Sequence, residues 1–154
     1  MRTFTAILLA AGLCAGAAAA QDYTGNPTYG TVNLRAGFQP DPYDVSVRSG
    51  GGIDATTRFD SCQGWIANAP DVRLNYTAGS SLPLWISAHA SADVTLVVNA
   101  PDGTWYCDDD SGEGLNPWVA FAKPQSGQYD IWIGTYGRNS IEPATLTISE
   151  VMHR

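Results

Sequence analysis

The sequence predicts an all-β fold, an antiparallel sandwich or barrel that follows an N-terminal signal peptide, and three observations carry that expectation. Turn residues punctuate the chain about every ten positions. Short segments of period-2 alternation lie between them. After residue 20, no segment repeats apolar residues with the helical i, i+3, i+4, i+7 spacing.

The first element is the export signal at 1–20. It has a single Arg2, an apolar run from Phe4 through Leu13, and the ending Ala18-Ala19-Ala20, which meets the small-x-small cleavage rule. Its removal leaves about 134 residues, enough for one domain that buries roughly two thirds of the surface its unfolded chain exposes. No later apolar stretch approaches the ~20 residues that a spanning helix needs. Residues 21–30, with Gly25-Asn26-Pro27, read as a loose lead, and 31–151 as the β-domain.

Within the domain the alternating sets are Val32/Leu34, Tyr43/Val45/Val47, Val72/Leu74/Tyr76, Leu84/Ile86/Ala88, Tyr129/Ile131/Ile133 and Leu146/Ile148. Each set places one strand face on a shared core. Val94 to Val98 is apolar almost throughout, which predicts a central strand covered on both faces. Turns are expected at Gln39–Pro42, Ser49–Gly52, Ala69-Pro70-Asp71, Ala78-Gly79-Ser80, Pro101-Asp102-Gly103, Ser111–Gly114, Ser126-Gly127 and Tyr136-Gly137.

Charge narrows the partners. Without Arg2, the 8 basic side chains become 7 against 15 acidic ones, a formal charge of −8. Lys123 is the one lysine, and Arg35, Arg48, Arg58, Arg73 and Arg138 are scattered singly. A phosphate backbone requires clustered cations, so no nucleic-acid partner is expected. The same carboxylates suit an exported, secreted or periplasmic protein and supply the oxygen ligands that hard cations prefer.

Cys14 leaves with the signal, and Cys62 and Cys107 remain. In an oxidising compartment this even pair is most simply a disulfide, and the alternative is two buried thiols.

The stretch SADVTLVVNAPDGTWYC, followed by DDDSGEGLNP, PQSGQYDIWIGTYG and ATLTISE, resembles the bacterial pre-peptidase C-terminal domain. The upstream part, YGTVNLRAGFQPDPYDVSVRSGGGIDA and CQGWIANAPDVRLNYTAG, is similar to small secreted proteobacterial proteins that carry this module as nearly their whole mature chain and are often labelled peptidase. The resemblance implies a jelly-roll-like β-sandwich that binds or accompanies a protein or polysaccharide surface, a secreted protease among the candidates. In a collagen-binding relative the module holds calcium. It implies no catalysis of its own.

The densest chemical cluster is Asp108-Asp109-Asp110, with Asp102 before it, Glu113 and Asn116 after it, and Asp93 and Asp130 able to join if their strands end near the loop; the six expected ligands are Asp93, Asp102, Asp108, Asp109, Asp110 and Asn116. Adjacent carboxylates repel, so a packed loop must compensate them with a cation such as Ca²⁺ or with hydrogen bonds. Two readings follow: a calcium site, or a solvated acidic turn that caps backbone amides.

Catalytic constellations do not assemble from the sequence. Asp110-Ser111-Gly112 spells the DSG of aspartic proteases, but it has no second copy and no apolar strand end before it. There is no Gly-x-Ser-x-Gly; His89 sits in strand alternation and His153 in the tail. A nucleophile without a positioned base has no proton acceptor, so a non-enzymatic binding or accessory module is expected. A protease-associated component, a secreted hydrolase and a structural protein of the envelope are the alternatives.

Alternation sends Trp132 away from the Ile131/Ile133 face and Trp85 away from Leu84/Ile86. With Tyr136, these rings are the candidate ligand contacts, able to stack on sugars or grip a partner, unless other segments cover them.

Overall fold

The computed structural model describes residues 21–151, so the signal at 1–20 and the tail from Met152, His153 included, lie outside the described residues. Eleven strands run in chain order: β1 (Thr31–Arg35), β2 (Tyr43–Ser49), β3 (Ile53–Asp54), β4 (Trp65–Ile66), β5 (Val72–Thr77), β6 (Leu84–Ala90), β7 (Val94–Asn99), β8 (Trp105–Asp108), β9 (Trp118–Phe121), β10 (Gly127–Thr135) and β11 (Glu142–Ser149). They form a β-sandwich. One sheet is ordered β1-β5-β10-β4-β3, with β7 on the other flank of β10 and β8 beyond it. The second is ordered β2-β11-β6-β9.

The alternating sets become the core between the sheets. Leu74, Leu84, Ile86, Ile131, Ile133, Leu146 and Ile148 are fully buried there, each contributing about 1.5–3 kcal/mol through the apolar area it removes from water. β7 is buried at all six positions, as its nearly continuous apolar run predicts, because β10 and β8 flank it and both of its faces are covered.

One strand pair departs from the antiparallel expectation. β1 and β5 run parallel, with Thr31 beside Arg73 and Arg35 beside Thr77. After β1 the chain crosses to β2 in the other sheet and returns through β3 and β4. It therefore reaches β5 by a long crossover, which permits the parallel sense that a tight hairpin forbids.

The return segment builds a second, smaller core on the outer face of the larger sheet. Asp54 caps a 3₁₀ turn at Ala55–Thr57, accepting from the Thr56 amide at 3.0 Å. Ala55, Cys62 and Ile66 close over Val97 and Trp132. A Cβ at Gly51 would stand 2.1 Å from the Ile66 backbone, so only glycine admits this approach. Cys62 and Cys107 are disulfide-bonded with Cα atoms 5.3 Å apart, fastening this flap to β8. Trp132 is thus fully buried, and its expected role as an exposed ligand contact is corrected: the flap supplies the cover that strand alternation alone does not reveal.

Residues 21–30, expected as a loose lead, are tied along β5. Thr28 donates to Pro70 at 2.9 Å and Tyr29 to Asp71 at 2.7 Å. The Arg73 guanidinium reaches back to the Tyr23 carbonyl at 2.7 Å while pairing with Asp130, also at 2.7 Å.

Candidate functional site

The outer face of the smaller sheet carries no flap. β6 turns Trp85, Ser87 and His89 outward, opposite its buried Leu84, Ile86 and Ala88. Thr147 and Ser149 of β11 stand beside them, since Thr147 pairs with Ser87 and Ser149 with Trp85. β9 adds Trp118, whose pairing with Ser87 places its indole next to that of Trp85. The two ring centroids are 4.7 Å apart and the planes are inclined by 44°.

The loop after β8 makes the raised wall of this face. The Asp108 carboxylate accepts from the Ser111 amide at 3.0 Å, the Ser111 hydroxyl at 2.6 Å and the Trp118 amide at 2.9 Å, drawing both loop ends together. Gly112 donates to the Asn116 carbonyl at 2.8 Å, and a Cβ there would lie 2.4 Å from that oxygen. Asn116 accepts from the Ala90 amide at 2.9 Å through Oδ1 and donates to the Glu113 carbonyl at 2.8 Å through Nδ2. The loop is therefore built from its own side chains, and it offers Ser111, Gly112 and Glu113 to a trough of about 680 Å³.

Three of the six predicted cation ligands converge on the other side of the same loop. Oxygen atoms of Asp93, Asp109 and Asp110 lie within 4.8 Å of one another. The β7–β8 hairpin brings this about: Leu96 pairs with Asp108, so Asp93 just before β7 meets the residues just after β8. The Asp109 carboxyl is pushed up to about 6, first by burial and then by the charges of Asp110, Asp93 and Asp108. Asp93 is raised for the same reasons, burial first and then Asp110. The buried Oδ1 atoms of Asp93 and Asp109 have no hydrogen-bond partner.

The other three expected ligands are corrected. Asp102 occupies the hairpin turn at the far end of β7 and β8, where it accepts from the Thr104 amide at 2.9 Å and from Gln125 at 3.0 Å. Asp108 and Asn116 spend their polar atoms on the loop itself, as the capping reading anticipates. Among the expected ring contacts, Trp85 is placed in the trough. Tyr136 is exposed, but it follows β10, and its amide donates to the Asp93 carbonyl at 3.1 Å. It does not line the trough.

Trp118 is the trough residue that sequence reasoning left out, and His89, set aside there as a residue in strand alternation, joins it. The signal for Trp118 was the buried neighbour Val119, which forces residue 118 onto the outward face shared with Trp85. Ser87 Oγ and His89 Nε2 are 3.4 Å apart, two residues along one strand face. This is a long contact, at the edge of hydrogen bonding.

No family model matches the chain, and no curated protein does. Among solved structures it is similar to the pre-peptidase C-terminal domain of a collagenase from Bacillus anthracis, at 14% identity and a TM-score of 0.46, covering 81% of this chain and 100% of that one. It is also similar to PliG of Aeromonas hydrophila, a periplasmic inhibitor of g-type lysozyme, at 14% identity and a TM-score of 0.44, covering 77% and 96%. The first carries the family name already raised by the sequence resemblance.

Proposed function

We propose that the protein is an exported, non-catalytic binding module that seats a saccharide chain in the trough between Trp85, Trp118 and the loop wall. The observation that carries this reading is the inclined indole pair on a sheet face that also presents the hydroxyls of Ser87 and Thr147. Sugar rings present C–H faces that stack on aromatic surfaces, and hydroxyl edges that exchange hydrogen bonds with serine and threonine. Export is supported by the Cys62–Cys107 disulfide, which persists in oxidising compartments.

The Ser87–His89 contact does not support hydrolysis. A working pair needs its imidazole oriented by a third group, and among the described residues His89 has no carboxylate in hydrogen-bond or ion-pair contact.

Calcium is the second part of the proposal. Asp93, Asp109 and Asp110 fit a hard cation because they offer carboxylate oxygens only, two of them buried and otherwise unpaired. A bound ion would offset the repulsion within the triad and stiffen the loop that walls the trough.

Isothermal titration of the purified chain against neutral and amino-bearing oligosaccharides tests the saccharide reading. Trp85→Ala and Trp118→Ala should each weaken binding about two- to tenfold, at the ~0.5–1.5 kcal/mol expected of a stacked ring. Full affinity retained in both variants overturns it.

A further inference from the structure

We infer that the sugar taken by the Trp85–Trp118 trough carries a free, protonated amine, so that the ligand class is a hexosamine-bearing saccharide with Glu113 as its counter-charge. This rests on the saccharide reading above and adds the charge of the ligand to it.

Among the described lining residues of the trough, Glu113 is the one carboxylate and His89 the one imidazole, and none is lysine or arginine. The described basic side chains lie outside the trough: Arg73 is paired with Asp130, Arg48 donates to the Ile141 carbonyl at 3.1 Å, Arg138 stacks over Trp65 at 4.8 Å, and Arg35, Arg58 and Lys123 do not line it. With a formal charge of −8 after the signal, uronates and sugar phosphates meet repulsion, and no lysine or arginine among the described lining residues pairs with them.

Glu113 is also placed as a recognition group. Its backbone carbonyl is held by Asn116 Nδ2 in a loop whose Gly112 closes against the Asn116 carbonyl, while its exposed carboxylate has no ion pair among the described residues. A trough that holds both a carboxylate and two indole rings favours a cation twice over, through a charge-assisted hydrogen bond and through attraction to the ring faces. A neutral sugar gains the stacking alone.

The test is calorimetric titration with glucosamine tetramer, its fully N-acetylated counterpart, the unsubstituted glucan tetramer and an oligogalacturonate. Conditions are about pH 7, where a free amine is largely protonated, in enough salt to screen the chain's general negative charge. The expected result is that the free amine binds about tenfold tighter than the N-acetylated and unsubstituted forms, the size of one charge-assisted contact, with no uronate binding. Glu113→Gln should bring that ratio to near one while leaving the N-acetylated form unchanged, and Asp60→Asn, on the flap over the other sheet, should leave the ratio intact. Equal binding of the three non-acidic sugars, or a preference that survives Glu113→Gln, overturns the inference but leaves the saccharide reading standing. If none of the sugars binds a protein whose melt is normal, both fall.

Discussion

The hydroxyl of Tyr76 donates to Glu150 Oε1 at 2.5 Å inside the sandwich, and the other oxygen of that carboxylate accepts from the Gly37 amide at 2.7 Å. One buried acid thereby joins β5, the turn after β1 and the end of β11. Tyr76 and Glu150 are 2% and 5% exposed, so neither has water as a substitute partner. The tyrosine is raised well above its ordinary value, by burial first and then by the bond to Glu150, which keeps it a donor at every pH the protein meets. Tyr76→Phe should therefore cost about 2 kcal/mol, with the melting temperature falling by several degrees. Denaturant unfolding measures the loss, and an unchanged midpoint would show that the bond contributes nothing.

Asp71 sets a pH dependence of definite sign. Its side chain is buried, its Oδ2 accepts from the Ile133 amide at 2.8 Å, and burial pushes its carboxyl up to about 7 against that hydrogen bond. Between about pH 4 and 7 the folded chain holds a proton that the unfolded chain has released. The stability that Asp71 contributes is thus full below about pH 4 and is lost as pH rises toward 7, by up to about 1.4 kcal/mol per unit. Asp71→Asn keeps the amide acceptor and should flatten this part of the profile. Urea midpoints for both proteins across that range check it, and parallel profiles would refute it.

Removing the Cys62–Cys107 bond frees a loop with a sequence separation of 45 and should cost about 3–4 kcal/mol in the chain-entropy account. The flap would loosen from Trp132, while oligosaccharide affinity should hold, because both indoles of the trough stand on the other sheet and its loop wall is held by the Asp108 hydrogen bonds. A double Cys→Ala variant, followed by thermal melts and titration, separates the two effects. Lost binding in a folded variant would contradict this separation.

Calcium at a hundredfold excess over its Kd should raise stability by about 2.7 kcal/mol, and magnesium by less because it yields its waters reluctantly. Asp109→Asn should abolish the calcium shift, and Asp102→Asn should leave it in place. Melts in calcium and in EDTA decide the matter, and coincident curves would remove the cation from the proposal.

Purified protein should leave casein uncleaved. Activity that disappears with Ser87→Ala or His89→Ala would reverse the non-catalytic reading and make the 3.4 Å contact a working pair.

Periodicity made most of the sandwich legible. The sets around Val45, Leu74, Ile86, Ile131 and Leu146 each name a strand and its inward face, because burial on one side of a sheet writes itself into every second residue. The short strands β3, β4, β8 and β9 were not legible, since two to four residues are too few to show a period. The burial of Trp132 stayed hidden for the same reason: it depends on a flap whose contacts are distant in sequence and partly covalent. Asp93 was readable as a partner of Asp109 and Asp110 once a β7–β8 hairpin was assumed, and that hairpin also places Asp102 out of reach.

Four of the five indoles divide between the covered face and the open face, and once Trp65, half-buried under Arg138, is replaced by phenylalanine, the two pairs give the molecule two separate optical reporters. Trp132 sits 5.3 Å from Trp105, which stacks at 4.3 Å on Phe59, and Cys62 and Cys107 belong to the same cluster. Emission from this set should be blue-shifted by burial, quenched by the neighbouring disulfide, and brightened when the bond is reduced. Trp85 and Trp118 are half-buried at the trough, so their emission should lie further to the red and respond to a bound ring. A spectrum resolved into two bands would follow flap opening and ligand seating at the same time, without any label.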